Sequence, residues 1–168
     1  MRPNANDYAP YYENYIQLIK EDNILKVLQE QNKETQDVLN SFSGHRGNYR
    51  YADGKWTVKE VVGHLLDTER IFAYRALCIA RGEKKSLIGF DQNDYVIEGN
   101  FNKRELFDLN YEFRLLRESN LLLFRTFSEG MLQKRGFANE SSVTVLAILF
   151  IIAGHEKHHI KILQERYK

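Results

Sequence analysis

Apolar residues recur at three- and four-residue intervals along most of this chain, the spacing of helices with one buried face. No stretch alternates strictly enough to compete as a strand. Pro3 and Pro10 are the only prolines, so nothing beyond Tyr11 forbids long helices. A short opening segment is expected around Tyr11–Ile19. Helix one follows over about Asp22–Asn40, with Asp22 as cap and Ile24, Leu25, Leu28 and Val38 as apolar positions. After the Gly-containing loop Ser43–Gly47, helix two has the clearest start in the chain. Thr57 and Glu60 have the spacing of a capping box, and Trp56 and Val61 that of a hydrophobic staple. It should run to Arg81 and stop at Gly82. Lys84–Asn100 reads as an irregular loop. Helix three is expected from Asn102, paired with Glu105, through Leu106, Phe113, Leu116, Leu123 and Phe127 to Gly130. Met131–Glu140 reads as a connector, and Ser141/Ser142 as caps of helix four, which ends near Arg166. Four amphipathic helices predict an all-α four-helix bundle. We expect one domain over 1–168, with 1–10 as a flexible lead.

Composition narrows the partners. With 24 Lys+Arg against 23 Asp+Glu, scattered along the chain, there is no basic stripe for nucleic acid. Cys78 is the single cysteine, which excludes an intrachain disulfide and fits a reducing compartment. The N-terminus has no secretory h-region. The run Val143–Ile152 is too short to span a bilayer and reads as a core helix. The expectation is a cytoplasmic protein acting on a small molecule, without nucleic acid or membrane partners.

The candidate chemistry lies in His155-Glu156-Lys157-His158-His159, directly after that apolar run. His155 and His159 are one turn apart and about 40° around the axis, so both rings reach one point. With His155 as zero, Ile148, Ile152 and Leu163 fall at about 20°, 60° and 80°, and His159 falls inside this apolar sector. His158, at about −60°, lies at its margin. On helix two, His64 lies at the edge of the sector of Val61, Leu65, Phe72 and Ile79, in a row with Thr68, Ile71 and Arg75. If the two faces meet, three neutral nitrogens converge as in an open zinc-type site. Each histidine alone is equally a hydrogen-bonded core residue, and His45 reads as a surface residue. Asp67 and Glu60 are candidates to orient the free ring N–H of His64, or else Glu60 serves only the cap and Asp67 is solvated. Arg75 needs a partner, either a carboxylate of a neighbouring helix or an anionic substrate.

The stretch Gly54–Arg70, the loop Gly89–Tyr95 and the segment His155–Ile160 together resemble the DinB-like superfamily, and within it the YfiT-like group of metal-dependent hydrolases. The likeness runs from about Tyr8 to the end, with no departure at the three histidines. It implies up-down-down-up helix order with long crossover connections, and often a homodimer. It implies a divalent metal, commonly zinc or nickel, on His64, His155 and His159. It also implies relatives that transfer low-molecular-weight thiols such as bacillithiol or mycothiol, and a thiol-dependent isomerase.

The leading expectation is a three-His metalloenzyme, a small-molecule thiol S-transferase or a hydrolase. Its reactive group would be a water or a thiol ionised by the metal, so no protein cysteine is required. Transfer is favoured on family grounds. Asp91, Asn93 and Tyr95 are expected at the cavity mouth, and His158 near the metal or in solvent. The alternatives are a non-catalytic, stress-related metal- or small-molecule-binding protein, and a bundle whose histidines only satisfy one another.

Overall fold

The computed structural model describes residues 1–167; Lys168, the last residue of the expected span, lies outside the described residues. Seven α-helices and one hairpin follow in order: α1 (Glu13–Ile16), α2 (Ile24–Asn40), α3 (Val58–Ala80), α4 (Gln92–Gly99), α5 (Leu106–Phe124), α6 (Glu129–Leu132), β1 (Arg135–Ala138), β2 (Ser141–Thr144) and α7 (Val145–Arg166). The long helices α2, α3, α5 and α7 form the four-helix bundle.

Cross-helix bonds give their directions. Gln31 and Thr35 of α2 meet Ala153 and Glu156 of α7 in the same order, so these two run parallel. Glu60 of α3 meets Asn102 just ahead of α5, and Glu69 meets Arg117 within it, so α3 and α5 are also parallel. Between α2 and α5 the order reverses, with Gln36 on Asn110 and Gln29 on Arg125. The result is up-down-down-up. Its parallel middle pair needs the long connection 81–105, which carries α4.

The caps explain where the helices begin. Thr57 Oγ1 accepts from the Glu60 N–H at 3.1 Å, and the Glu60 carboxylate accepts from the Thr57 N–H at 2.7 Å. That is the predicted capping box. Gly82, at φ +95°, follows the end of α3.

Elsewhere boundaries moved. Asn23, not Asp22, caps α2. Asp91 caps α4, a helix within the stretch expected to be irregular. α5 starts at Leu106, because Asn102 sits in a 3-10 turn and bridges Thr57 and Glu60. It stops at Phe124 rather than Gly130. The connector and the Ser141/Ser142 cap are replaced by a two-stranded antiparallel hairpin in which Ala138 pairs with Ser141. Thr144 then caps α7. The hairpin turn, Asn139-Glu140, holds both residues at positive φ but lacks the glycine that usually marks such a turn.

The first ten residues, expected as a flexible lead, lie against the body. Tyr8 is buried, and Arg135 pairs with Asp7. No helix among the described residues is long and apolar enough to cross a membrane.

The core falls into two apolar clusters. One is built on Phe72, Ile79, Phe124 and the first half of α7; the other on Leu66, Leu109, Phe113 and Leu163. Between them crosses a belt of buried polar groups from all four long helices, Gln31, Thr35, His64, Glu69, Asn110, Arg117, His155 and Glu156 among them. Buried polar groups are costly unless partnered, so the belt carries the structure's chemical information.

Candidate metal centre

Both histidine-bearing helices bring a glycine immediately before the ligand position. A Cβ on Gly63 would lie 2.2 Å from the Phe101 ring, and one on Gly154 2.0 Å from the Tyr15 carbonyl oxygen. Close packing of Phe101 on α3 and of α1 on α7 therefore depends on these positions staying bare.

His64, His155 and His159 converge. One nitrogen from each lies within 4.8 Å of the other two, and the ring centroids stand 4.5 to 4.9 Å apart. The Nε2 atoms of His64 and His155 face each other at 2.9 Å. His64 and His155 are buried and His159 half-buried. Trp56 packs on His64 and stacks on His159, and the Tyr15 ring edge meets His155. Thr68 Oγ1 lies 3.4 Å from His64 Nδ1, which leaves Nε2 for the centre.

Burial pushes His64 down to about 4 and His159 down to about 3, the latter also repelled by His64 and His158. Burial, then the neighbouring histidines, holds His155 well below its ordinary value. All three are neutral at pH 7, the form in which imidazole donates to a metal.

The donor set fits a divalent cation. Nitrogens of a tetrahedral site stand about 3.3 Å apart for bonds of about 2.0 Å, so a shift of roughly an ångström closes this trio on one ion.

Beside the trio opens a cavity of about 400 Å³, lined by His64, His155, Tyr12, Tyr15, Phe72 and Phe90, with Asp91, Asn93 and Asn139 on its polar side. Asp91 and Asn93 border the cavity. One Asp91 oxygen is already taken by the Asn93 and Asp94 N–H groups as the α4 cap. Tyr95 does not border it. Its ring packs on Phe90 and faces a separate surface hollow with Ile71 and Asp94.

Asp67 does not orient His64. It points to Arg70 at 3.9 Å, and Thr68 takes the place beside the ring. Glu60 serves the cap and Asn102 only. His158 stands half-buried against Tyr15 and His159, outside the converging set. Arg75 pairs with no carboxylate among the described residues. Its Nη2 donates to the Ile88 carbonyl oxygen at 2.7 Å, and its guanidinium lies over Phe72 and Phe90.

The belt's second feature was not anticipated. Arg117, fully buried, holds Glu69 through two bonds of 2.7 and 2.5 Å and Glu156 at 2.7 Å, and donates to the Leu28 carbonyl oxygen. Thr35 donates to Glu156 at 2.6 Å and Asn120 to Glu69 at 3.1 Å. Burial raises Glu156 against the pull of Arg117. It opposes the charge of Arg117 too, but the two carboxylates more than restore it. The signal existed in the sequence: Glu156 falls at about 100° on the same wheel, between Leu163 and Ile160, inside the apolar sector. A carboxylate there demands a buried cation.

A sequence model of the DinB superfamily matches residues 28–163. The fold is similar to that of YfiT from Bacillus subtilis, described as a probable metal-dependent hydrolase with an unusual four-helix bundle topology. The TM-score is 0.76 at 19% identity, covering 98% of this chain and 90% of that one. It is also similar to a mycothiol-dependent maleylpyruvate isomerase, with a TM-score of 0.70 at 11% identity, covering 87% of this chain and 61% of that one. None of the curated proteins matches the chain.

Proposed function

This chain belongs to the DinB superfamily, and from that premise we propose that it is a divalent-metal-dependent enzyme acting on a small molecule, with His64, His155 and His159 as the ligands. One observation carries the reading: three neutral nitrogens from two helices lie within 4.8 Å of one another, and two of their rings, His64 and His155, line a cavity. Zinc and nickel suit imidazole donors. When bound, the cation supplies Lewis acidity toward a water for hydrolysis or toward a small thiol for transfer.

The residues around it favour transfer of a thiol. Asp91 is the one carboxylate lining the cavity among the described residues, and it already caps α4. Glu156 is held by Arg117 and Thr35. Only the second oxygen of Asp91 is thus left, among the described carboxylates that line the cavity or neighbour the trio, to take a proton from water. A thiol, with an ordinary pKa of about 8.5, needs far less help to ionise at pH 7 than water at about 15.7. Cys78 does not line the cavity, so the sulfur comes with a co-substrate. Tyr12, Tyr15, Phe72 and Phe90 exclude bulk water and hold an apolar electrophile.

Elemental analysis of untagged protein tests this first. About one divalent ion per chain is expected, and His64→Ala should lose it while keeping its helical circular dichroism. Absence of stoichiometric metal removes the reading. Metal-loaded protein is then incubated with low-molecular-weight thiols plus an aromatic halide, and separately with ester and amide panels. Turnover only on the second set makes it a hydrolase. Inertness on both leaves a metal- or small-molecule-binding protein.

A further inference from the structure

Arg75 is 4% exposed, yet no carboxylate among the described residues lies within ion-pairing distance of it. A guanidinium offers five N–H donors. Here the Ile88 carbonyl oxygen accepts one, and the faces of Phe72 and Phe90 take up the flat sides at 5.0 and 5.9 Å from the ring centroids. A charge removed from water without a counter-ion is unfavourable, and burial accordingly draws Arg75 below its ordinary value, with the Tyr12 hydroxyl beside it. Arg117, buried still more completely, is closed off by two carboxylates. Arg75 has none.

The location gives this vacancy a purpose. Arg75 borders a recess of about 10 Å³, room for a single water-sized group, whose walls Tyr12, Phe72, Ser141 and Ile151 also line the 400 Å³ cavity. Arg75 stands eleven residues after His64 on α3, which is about 16 Å along the axis and only about 20° around it. Its side chain leans back toward the helix N-terminus and so toward the histidines. The two cavities therefore adjoin, with nitrogen donors lining the larger and an unmatched cation bordering the smaller, and Tyr12 and Phe72 in the wall of both.

We propose that the larger cavity binds a small organic carboxylate, whose anionic end opens the adjoining recess and is held by the guanidinium of Arg75 while its reactive end faces His64, His155 and His159. The proposal names the substrate class of the enzyme inferred above and rests on that reading for the reactive end only. The planar fork of arginine matches a carboxylate's two oxygens, and stacking on Phe72 and Phe90 holds the fork in place before the ligand arrives.

The test uses metal-stripped full-length protein and two probes of one shape, 3-phenylpropanoate and 3-phenylpropanamide, titrated by NMR. The carboxylate should bind at least tenfold more tightly than the amide. That margin should vanish in Arg75→Met and in Arg75→Gln, which keeps a donor for the Ile88 carbonyl, and persist in His64→Ala. Equal binding of the two probes by the unmodified protein overturns the proposal, as does a margin that survives either Arg75 variant. Should neither variant fold, the Arg75 Nε–H resonance decides: it must move with the carboxylate and stay with the amide. Metal stoichiometry is unaffected by this outcome, so failure here and failure of the metalloenzyme reading are read separately.

Discussion

The polar belt holds two clusters on the same helices, and they are finished to different degrees. Glu69 and Glu156 stand on α3 and α7, as His64 and His155 do, and Glu156 follows His155 directly. In the Glu69–Arg117–Glu156 triad each charged group meets an opposite charge, and Thr35, Asn120 and the Leu28 carbonyl take further bonds. The histidine trio is neutral, with one nitrogen–nitrogen contact and a nitrogen of each ring within 4.8 Å of the other two. The triad is complete within the chain, whereas the trio is a donor set that a cation would complete. The first ties α2, α3, α5 and α7 to one another, and the second draws its rings from two of these helices.

Breaking the triad should have the largest effect. Arg117→Met leaves two buried carboxylates facing each other, with an expected loss of about 3–5 kcal/mol by urea denaturation. Replacing all three charges by apolar residues (Glu69→Met, Arg117→Leu, Glu156→Met) should cost little or even stabilise the fold. If the triad acts as a register device, that stable triple variant should still bind metal less tightly. A loss under about 1 kcal/mol in Arg117→Met would show that the triad is not a closed unit.

The contrast also explains what could be read from the residues beforehand. Amphipathic spacing and the Thr57/Glu60 box located the long helices, and the wheel placed three histidines on inward faces that do converge. Local signals suffice for that, because helix periodicity and capping are local. The triad depends on α5 lying between α3 and α2, a tertiary fact, and only the inward Glu156 hinted at it. The hairpin was missed because Asn139-Glu140 carries no glycine to announce the turn. Asp91, read only as a cavity residue, also caps a helix whose eight residues have weak periodicity. Asp67 lies three residues from His64, yet points to Arg70, which spacing alone does not reveal.

The trio's enclosure can be loosened without touching a ligand. Gly154→Ala would place a methyl group 2.0 Å from the Tyr15 carbonyl oxygen, so α1 must move off α7. The expected cost is about 1–3 kcal/mol, with faster proteolysis of residues 1–20 and weaker metal retention as Tyr15 leaves His155. Unchanged melting together with unchanged proteolysis would show that α1 does not seal the site.

Acid should sharpen the difference between the clusters. His64, at about 4, and His159, at about 3, fall below the ordinary 6.5 that they recover on unfolding, and His155 is lowered too. Below pH 6.5 the unfolded chain therefore binds more protons than the folded one. The histidines' contribution to the stability of the metal-free protein is flat above that pH. It should fall toward pH 4 by up to about 1.4 kcal/mol per pH unit for each buried histidine. Glu156 has the opposite sign, since its raised pKa favours protonation in the folded state. Urea midpoints taken between pH 7.5 and 4.5 in chelator measure the sum, and a level profile would mean the rings are already solvated.

The smallest effect belongs to Thr68, the side chain that sets which nitrogen of His64 faces the centre. At 3.4 Å its contact with Nδ1 is weak, and Thr68→Val keeps nearly the same volume, so the fold should tolerate it with little change in melting temperature. What the valine removes is the preference for presenting Nε2, since outer partners of ligand histidines fix tautomer and ring orientation. Metal affinity, measured by chelator competition, should fall about tenfold, while Thr68→Ser, which keeps the hydroxyl, should restore most of it. The triad's Thr35 offers the control. Its hydroxyl donates to a buried carboxylate at 2.6 Å, so Thr35→Val should lower stability by about 1–3 kcal/mol. An affinity loss confined to Thr68→Val and a stability loss confined to Thr35→Val would separate a cluster that binds from one that holds. The reverse pattern would exchange their roles.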